Sequence, residues 1–219
     1  MLHYLQNLFH ALDFSSLSEA GLRAAAIFLC LTIHETCHGL AALALGDPTA
    51  KSMHRLSLNP LRHIDWFGLL MMFTVGFGWA KPVPVDPRYF KNPKGGMAFT
   101  ALAGPLSNLI LAFLALLIGK AVYVYAPYSV GWGTVFDFCT GILAPLSIGL
   151  GLFNLLPIPP LDGAKVLGAA LPDGMYFRIM RYERFGLLVL LALSFAGISG
   201  RLISGAIMGV YRWMFYLVF

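Results

Sequence analysis

Five consecutive residues, His34-Glu35-Thr36-Cys37-His38, have the types and spacing of a metal hydrolase, and they lie inside the apolar run from Leu22 to Leu45. On a helix, positions i and i+4 share a face, so the two imidazoles can reach one metal ion with the Glu35 carboxylate beside them. Of the three glutamates, Glu19, Glu35 and Glu183, Glu35 is the one at membrane depth. An ionised carboxylate at the middle of a spanning helix costs roughly 2.5 to 3.5 kcal/mol, whereas each Leu, Ile or Phe returns only about 0.3 to 0.6 kcal/mol. In a soluble helix the ordinary explanation would be a chance match between satisfied core histidines. In lipid, the cost of Glu35 argues for a metal, a partner or a wet cavity.

The elements that must position these residues follow from composition and periodicity. With 219 residues, 58% hydrophobic and 11% charged, and a mean hydropathy of +0.76, the chain is not an ordinary soluble domain. It reads as an all-α polytopic membrane protein of about four to five transmembrane helices, forming a single membrane-embedded domain over 1–219. The net charge of +5 comes from basic residues scattered through loops, so membrane topology explains it and no nucleic acid is expected. Cys30, Cys37 and Cys139 lie in apolar segments without CxxC spacing and read as core packing. No cleavable signal is expected at the N-terminus.

Leu2, Leu5, Leu8, Phe9 and Leu12 recur at helical spacing, which fits either an interfacial amphipathic helix over 1–13 or a packed terminus. Ser16 and Glu19 have capping-box spacing before a first span over 17–45, which Gly46-Asp47-Pro48 ends. The loop 47–96 contains the glycine-broken apolar stretch Trp66 to Trp79 and then Ala80-Lys81-Pro82-Val83-Pro84-Val85. A re-entrant or interfacial hairpin and a plain surface loop both fit it, and its prolines keep the backbone extended, open to an incoming peptide.

A second span over 97–119 includes the small-residue stretch Ala101 to Asn108, read first as close helix packing. Tyr123, Tyr125, Tyr128 and Trp132 form an aromatic belt around an uncharged connection. A broken third span over 136–171 contains Asn154-Leu155-Leu156-Pro157-Ile158-Pro159-Pro160-Leu161-Asp162-Gly163, in which three prolines must interrupt the helix. Irregular backbone at membrane depth is tolerated where it is buried in protein or lines a cavity, which points Asp162 toward a polar site. A fourth span is expected over 183–197. The apolar tail 201–219, with Arg212, either spans or lies on the surface. The loop after the first span holds seven of the fifteen Lys and Arg, the stretch from Lys165 to Arg184 around the end of the third span holds four, and the connection 121–135 after the second holds none. The positive-inside rule then makes the charged loops cytoplasmic and the N-terminus external.

A catalytic zinc takes three protein ligands and leaves one position for water. His34 and His38 supply two. The remaining acidic or histidine residues in the spans and their broken ends are Glu35, Asp137 near the outer end of the third helix, and Asp162, which makes Asp162 the favoured third ligand. Zinc acidifies a coordinated water, so Glu35 can take its proton and deliver it to a leaving amine. Asn154, eight residues before Asp162, is a candidate for holding the scissile carbonyl or the peptide backbone.

HETCHG and NLLPIPPLDG, together with LSLNPLRHID, GWAKPVPV and ALAGPLSN, resemble the site-2 protease family of intramembrane zinc metalloproteases over roughly residues 20 to 170. The resemblance implies one zinc per chain on His34, His38 and Asp162, Glu35 as catalytic base and Asn154 as a substrate contact. It also implies a membrane-inserted β-like hairpin between the first and second spans, about Trp66 to Val85, that clamps substrate as an extended strand. His63 and Asp65 match the family's loop motif. Many relatives carry a PDZ or CBS domain, for which this chain has no room, so it resembles the compact prokaryotic branch. The function expected is regulated intramembrane proteolysis, cutting a transmembrane protein substrate within the lipid bilayer of the cell membrane. A membrane metal-binding or transport protein and an inactive scaffold for transmembrane helices are the rivals. Neither the absence of a second carboxylate set nor the intact Glu35 favours them.

Overall fold

A computed structural model of the chain describes residues 17–68, 80–172, 174–176, 186, 188, 190, 192 and 198–219. The interfacial helix expected over 1–13, the capping Ser16 and the hairpin tip at 69–79 lie outside the described residues, as does most of the helix expected over 183–197.

The first helix, α1 (Leu17–Ala44), ends in a left-handed glycine. Gly46 has φ of +101°, its N–H donates to the Leu43 carbonyl at 3.0 Å, and the Asp47 N–H donates to the Ala42 carbonyl at 2.9 Å. These two bonds cap the free carbonyls of the last turn, and glycine pays no Cβ penalty there. A short helix α2 (Thr49–Ser52) follows, then 3₁₀ turns at Pro60–Arg62 and Pro87–Tyr89. Helix α3 (Pro93–Tyr125) starts earlier than the expected span, because the Asn92 side chain accepts the Gly95 N–H and Pro93 suits a first helical position. It also runs on past Gly119, and Lys120 there donates from Nζ to the Val218 carbonyl.

Helix α4 (Val130–Asn154) also begins earlier than expected, within the stretch read as a connection. The Ser129 side chain caps the Trp132 N–H, so the uncharged connection is shorter. A π-helical segment, Phe138–Leu143, lies inside α4. The carbonyl of Thr140 in this segment accepts from Tyr211 Oη at 3.0 Å. Helix α5 (Asp162–Ala169) follows the proline-rich break, and α6 (Ile198–Val218) closes the chain.

Helices α1, α3 and α4 are each long and apolar enough to cross a membrane. Helix α1 packs on α3, and α3 packs on α4 and α5. The core between them mixes small residues, Ala26, Cys30, Ala112, Ala115 and Ala144, with the larger Leu116, Leu143 and Ile148. Small side chains let helix backbones approach where lipid offers no hydrophobic drive for association. The tail, left open between spanning and surface placements, packs against α4 and α3, burying Ile203, Met214 and Val218 along one stripe of α6.

No strand occurs among the described residues. One isolated antiparallel bridge joins Ile64 and Ala80, on either side of the stretch Trp66 to Trp79, and the Lys81 N–H donates to the His63 carbonyl at 2.9 Å.

Candidate metal centre

Helical periodicity brings His34 and His38 to one face of α1, their ring centroids 4.6 Å apart and their planes at 90°. His34 is ten residues from Ala44, hence about 15 Å from that end of the helix at 1.5 Å per residue. The third member arrives from α5. Asp162 Oδ2 stands 3.2 Å from His34 Nε2 and 3.1 Å from His38 Nε2, and all three residues are buried. Among the described residues this is the one group of three or more metal-ligating side chains whose atoms converge, within 4.8 Å of one another. Asp137, at the far end of the first segment of α4, is exposed and takes no part in it.

The chemistry of these atoms tests whether a metal fits. His38 Nδ1 lies 2.7 Å from the Thr100 carbonyl, an acceptor only, so the ring donates its proton there and turns the Nε2 lone pair toward Asp162. A lone pair and a carboxylate oxygen facing each other at 3.1 Å are reconciled by positive charge between them, either a second ring proton or a metal ion. Two imidazole nitrogens and one carboxylate oxygen, one imidazole oriented by a carbonyl behind it, match a catalytic zinc site with a position left for water.

Neighbouring elements shape the cluster. A Cβ on Gly104 would run into His38 Nε2 and Cε1 and stand 2.8 Å from His34 Cε1, so the α3 backbone presses directly on both rings. A Cβ on Gly163 would meet the carbonyls of Leu155 and Leu156, which explains a glycine immediately after Asp162. Glu35 is half-buried, and its Oε2 accepts the Val83 N–H at 2.9 Å. Lys165 Nζ is 3.8 Å from Asp162 Oδ1, the oxygen turned away from the imidazoles.

Several known proteins are similar to this chain in sequence. The family model described as Peptidase family M50 matches residues 128–196, a stretch that contains Asn154 and Asp162. YwhC of Bacillus subtilis, provisionally named a zinc metalloprotease, is 39% identical over 76% of this chain and 77% of its own length. Two proteins named Rip2, under the same provisional description, are also similar. The one from Mycobacterium tuberculosis H37Rv is 31% identical over 87% of this chain and 71% of its own length. The one from Mycolicibacterium smegmatis is 27% identical over 87% and 69%. The chain belongs to peptidase family M50, the site-2 proteases. No solved structure matches it significantly.

As a member of that family the chain is a zinc metalloprotease with membrane-spanning helices, and His34, His38 and Asp162 lie close enough together to form a candidate metal site. Asn154 closes the last turn of α4, its Nδ2 donating to the Leu150 carbonyl at 2.9 Å. His63 and Asp65 order the loop after α1. His63 Nε2 donates to the Ser57 carbonyl at 2.7 Å, the same oxygen that receives Thr36 Oγ1 at 3.0 Å, and Asp65 Oδ1 accepts the N–H groups of Phe67 and Gly68. Thr100, Gly104, Val83 and Lys165 were not foreseen as neighbours of the site. Thr100 acts through its carbonyl and Val83 through its amide, which carry no residue-type signal. Gly104 lies in a small-residue stretch whose packing partner turns out to be the pair of imidazoles.

Proposed function

We propose that this M50 member is an intramembrane endopeptidase that cuts a transmembrane segment of another membrane protein. The observation that supports this most is the depth of the cluster: His34 and His38 lie well inside a helix long and apolar enough to span, facing a buried Asp162 from beyond a proline break. In this reading His34, His38 and Asp162 hold one zinc per chain, which when bound polarises the scissile carbonyl and acidifies water. Glu35 accepts the water's proton and returns it to the departing amine. The Thr100 carbonyl keeps His38 in the tautomer that presents Nε2, and Asn154 contacts the substrate backbone.

A transmembrane helix hides its carbonyls in internal hydrogen bonds, so the substrate has to unwind locally, and helix-breaking residues in it assist cleavage. Loops rich in Lys and Arg face the cytoplasm of a multi-pass protein in the cell membrane, the N-terminus lies outside, and water reaches the site from the cytoplasmic side. A metal transporter would want a relay of ligating groups, whereas a single cluster is found among the described residues.

The test is cleavage of a model transmembrane substrate in detergent by wild type and Glu35→Gln. The variant should keep its zinc and lose cleavage by at least about 100-fold, the scale of a general acid–base contribution. Equal cleavage by both forms, or no cleavage by either across a broad substrate panel together with zinc transport into vesicles, would overturn the reading.

A further inference from the structure

The bond from the Val83 amide to Glu35 belongs to a larger arrangement that the proteolytic reading does not use. Residues 81–86 form an extended strap beside α1, with the Val83 side chain buried against Gly39, one residue beyond His38. The strap is tied at both ends. The Lys81 N–H donates to the His63 carbonyl at 2.9 Å, and the Asp86 N–H donates to the fully buried Asp47 at 2.7 Å. Prolines at 82 and 84 have no amide hydrogen, so Val83 carries the only backbone donor of these three residues. That donor goes to Glu35.

On the other side of the strap stands Arg55. Its guanidinium donates to the carbonyls of Lys81 at 2.8 Å and Pro82 at 3.2 Å. The Pro82 carbonyl and the Val83 N–H belong to one trans peptide unit, which directs them to opposite sides. A single rigid plane therefore links a cation to the Glu35 carboxylate, and a peptide whose oxygen accepts from a cation donates more strongly through its nitrogen. Arg55 is itself firmly placed. Its N–H donates to the Ala50 carbonyl at 2.8 Å across a turn in which His54 takes the left-handed φ of +53°. The Arg62 guanidinium grips the His54 carbonyl at 2.5 Å. A non-glycine residue held in that region costs energy and persists only where its surroundings over-determine it.

We propose that Arg55 is a positioning residue for the Glu35 carboxylate, acting through the Pro82–Val83 peptide unit. The proposal rests on the reading of Glu35 as the catalytic base. One carboxylate oxygen is held by the Val83 amide, which leaves the other aimed for proton transfer and removes the side chain's freedom to swing away. Both bonds come from one nitrogen, Nη2, whose two hydrogens reach the two successive carbonyls.

The full chain in detergent, with the model transmembrane substrate, provides the test through kcat, KM and zinc per chain. Arg55→Met and Val83→Pro should each lower kcat by about tenfold to 100-fold, the scale of a misplaced catalytic group, with KM and zinc content unchanged. The double variant should be no worse than Val83→Pro alone, because both substitutions cut one route. Arg55→Lys should recover only part of the loss, and Val83→Ala, which keeps the N–H, should stay well above Val83→Pro. A raised KM at unchanged kcat would overturn the proposal and make the strap a substrate-pairing edge. Additive losses, or zinc lost in step with kcat, would also overturn it. Should one variant fail to fold, the paired substitutions at the other position decide. If Glu35→Gln still cleaves, the underlying reading fails. If Glu35→Gln is dead while Arg55→Met and Val83→Pro cleave like wild type, only the positioning role falls.

Discussion

At His38 the two ring nitrogens have different partners, Nδ1 the Thr100 carbonyl and Nε2 the Asp162 carboxylate. The pair His34 and His38 was legible in the sequence because helical period alone puts i and i+4 on one face. What holds the rings from behind was not legible, since any residue type at position 100 offers the same carbonyl. Gly104 is intermediate: its smallness was visible, but its neighbour was not. Gly104→Ala places a methyl group where the imidazoles stand. We expect it to weaken zinc binding by about 10- to 100-fold, as loss of ligand orientation typically does, with helical content unchanged. Competition against a chromogenic chelator measures the first and circular dichroism the second; wild-type zinc affinity would refute the packing argument.

At the scale of elements, the break between α4 and α5 is what delivers Asp162. The proline cluster announced the break and elimination pointed to Asp162, but the fit of Gly163 against the Leu155 and Leu156 carbonyls depends on how the turn folds back. Gly163→Ala should destabilise the protein by about 1 to 3 kcal/mol through overpacking and should reduce zinc content with it, as read from thermal unfolding and metal analysis. Helix starts were less legible than helix identities: Asn92 and Ser129 act as caps in stretches whose turn and aromatic composition suggested connections. The strap ends in a second charged anchor. Asp86 accepts from the Arg88 guanidinium and backbone N–H, which hold its carboxyl below the ordinary carboxylate value. A depressed folded-state pKa gives stability that is present above the unfolded value and is lost as pH falls through the folded one. Wild type should therefore unfold at a higher temperature than Asp86→Asn at neutral pH, and the gap should close below about pH 4. A gap that persists or widens in acid would show that the ion pair is not its source.

At the scale of the whole molecule, three helices among the described residues are long and apolar enough to span, and alanines and cysteines mix with leucine, isoleucine and methionine in the core. His34 and Asp162 come together from 128 residues apart in the chain. The sequence revealed the class of fold because apolar runs of membrane length have few other uses. It did not reveal how the tail docks, because the bonds from Tyr211 to Thr140 and from Lys120 to the end of α6 join elements far apart in the chain. The topology proposed here predicts that a cysteine placed at residue 2 of a variant lacking the native cysteines reacts with an impermeant thiol reagent from outside the cell, while one at position 51 reacts only after permeabilisation. The reverse pattern would invert the orientation. The central claim, that α1 and α5 together hold one zinc, is tested most directly by metal stoichiometry of purified wild type and Asp162→Asn. We predict about one zinc per chain in wild type, as a single catalytic site requires, and substoichiometric zinc with no cleavage in the variant. Full zinc occupancy with unimpaired cleavage in Asp162→Asn would contradict the account.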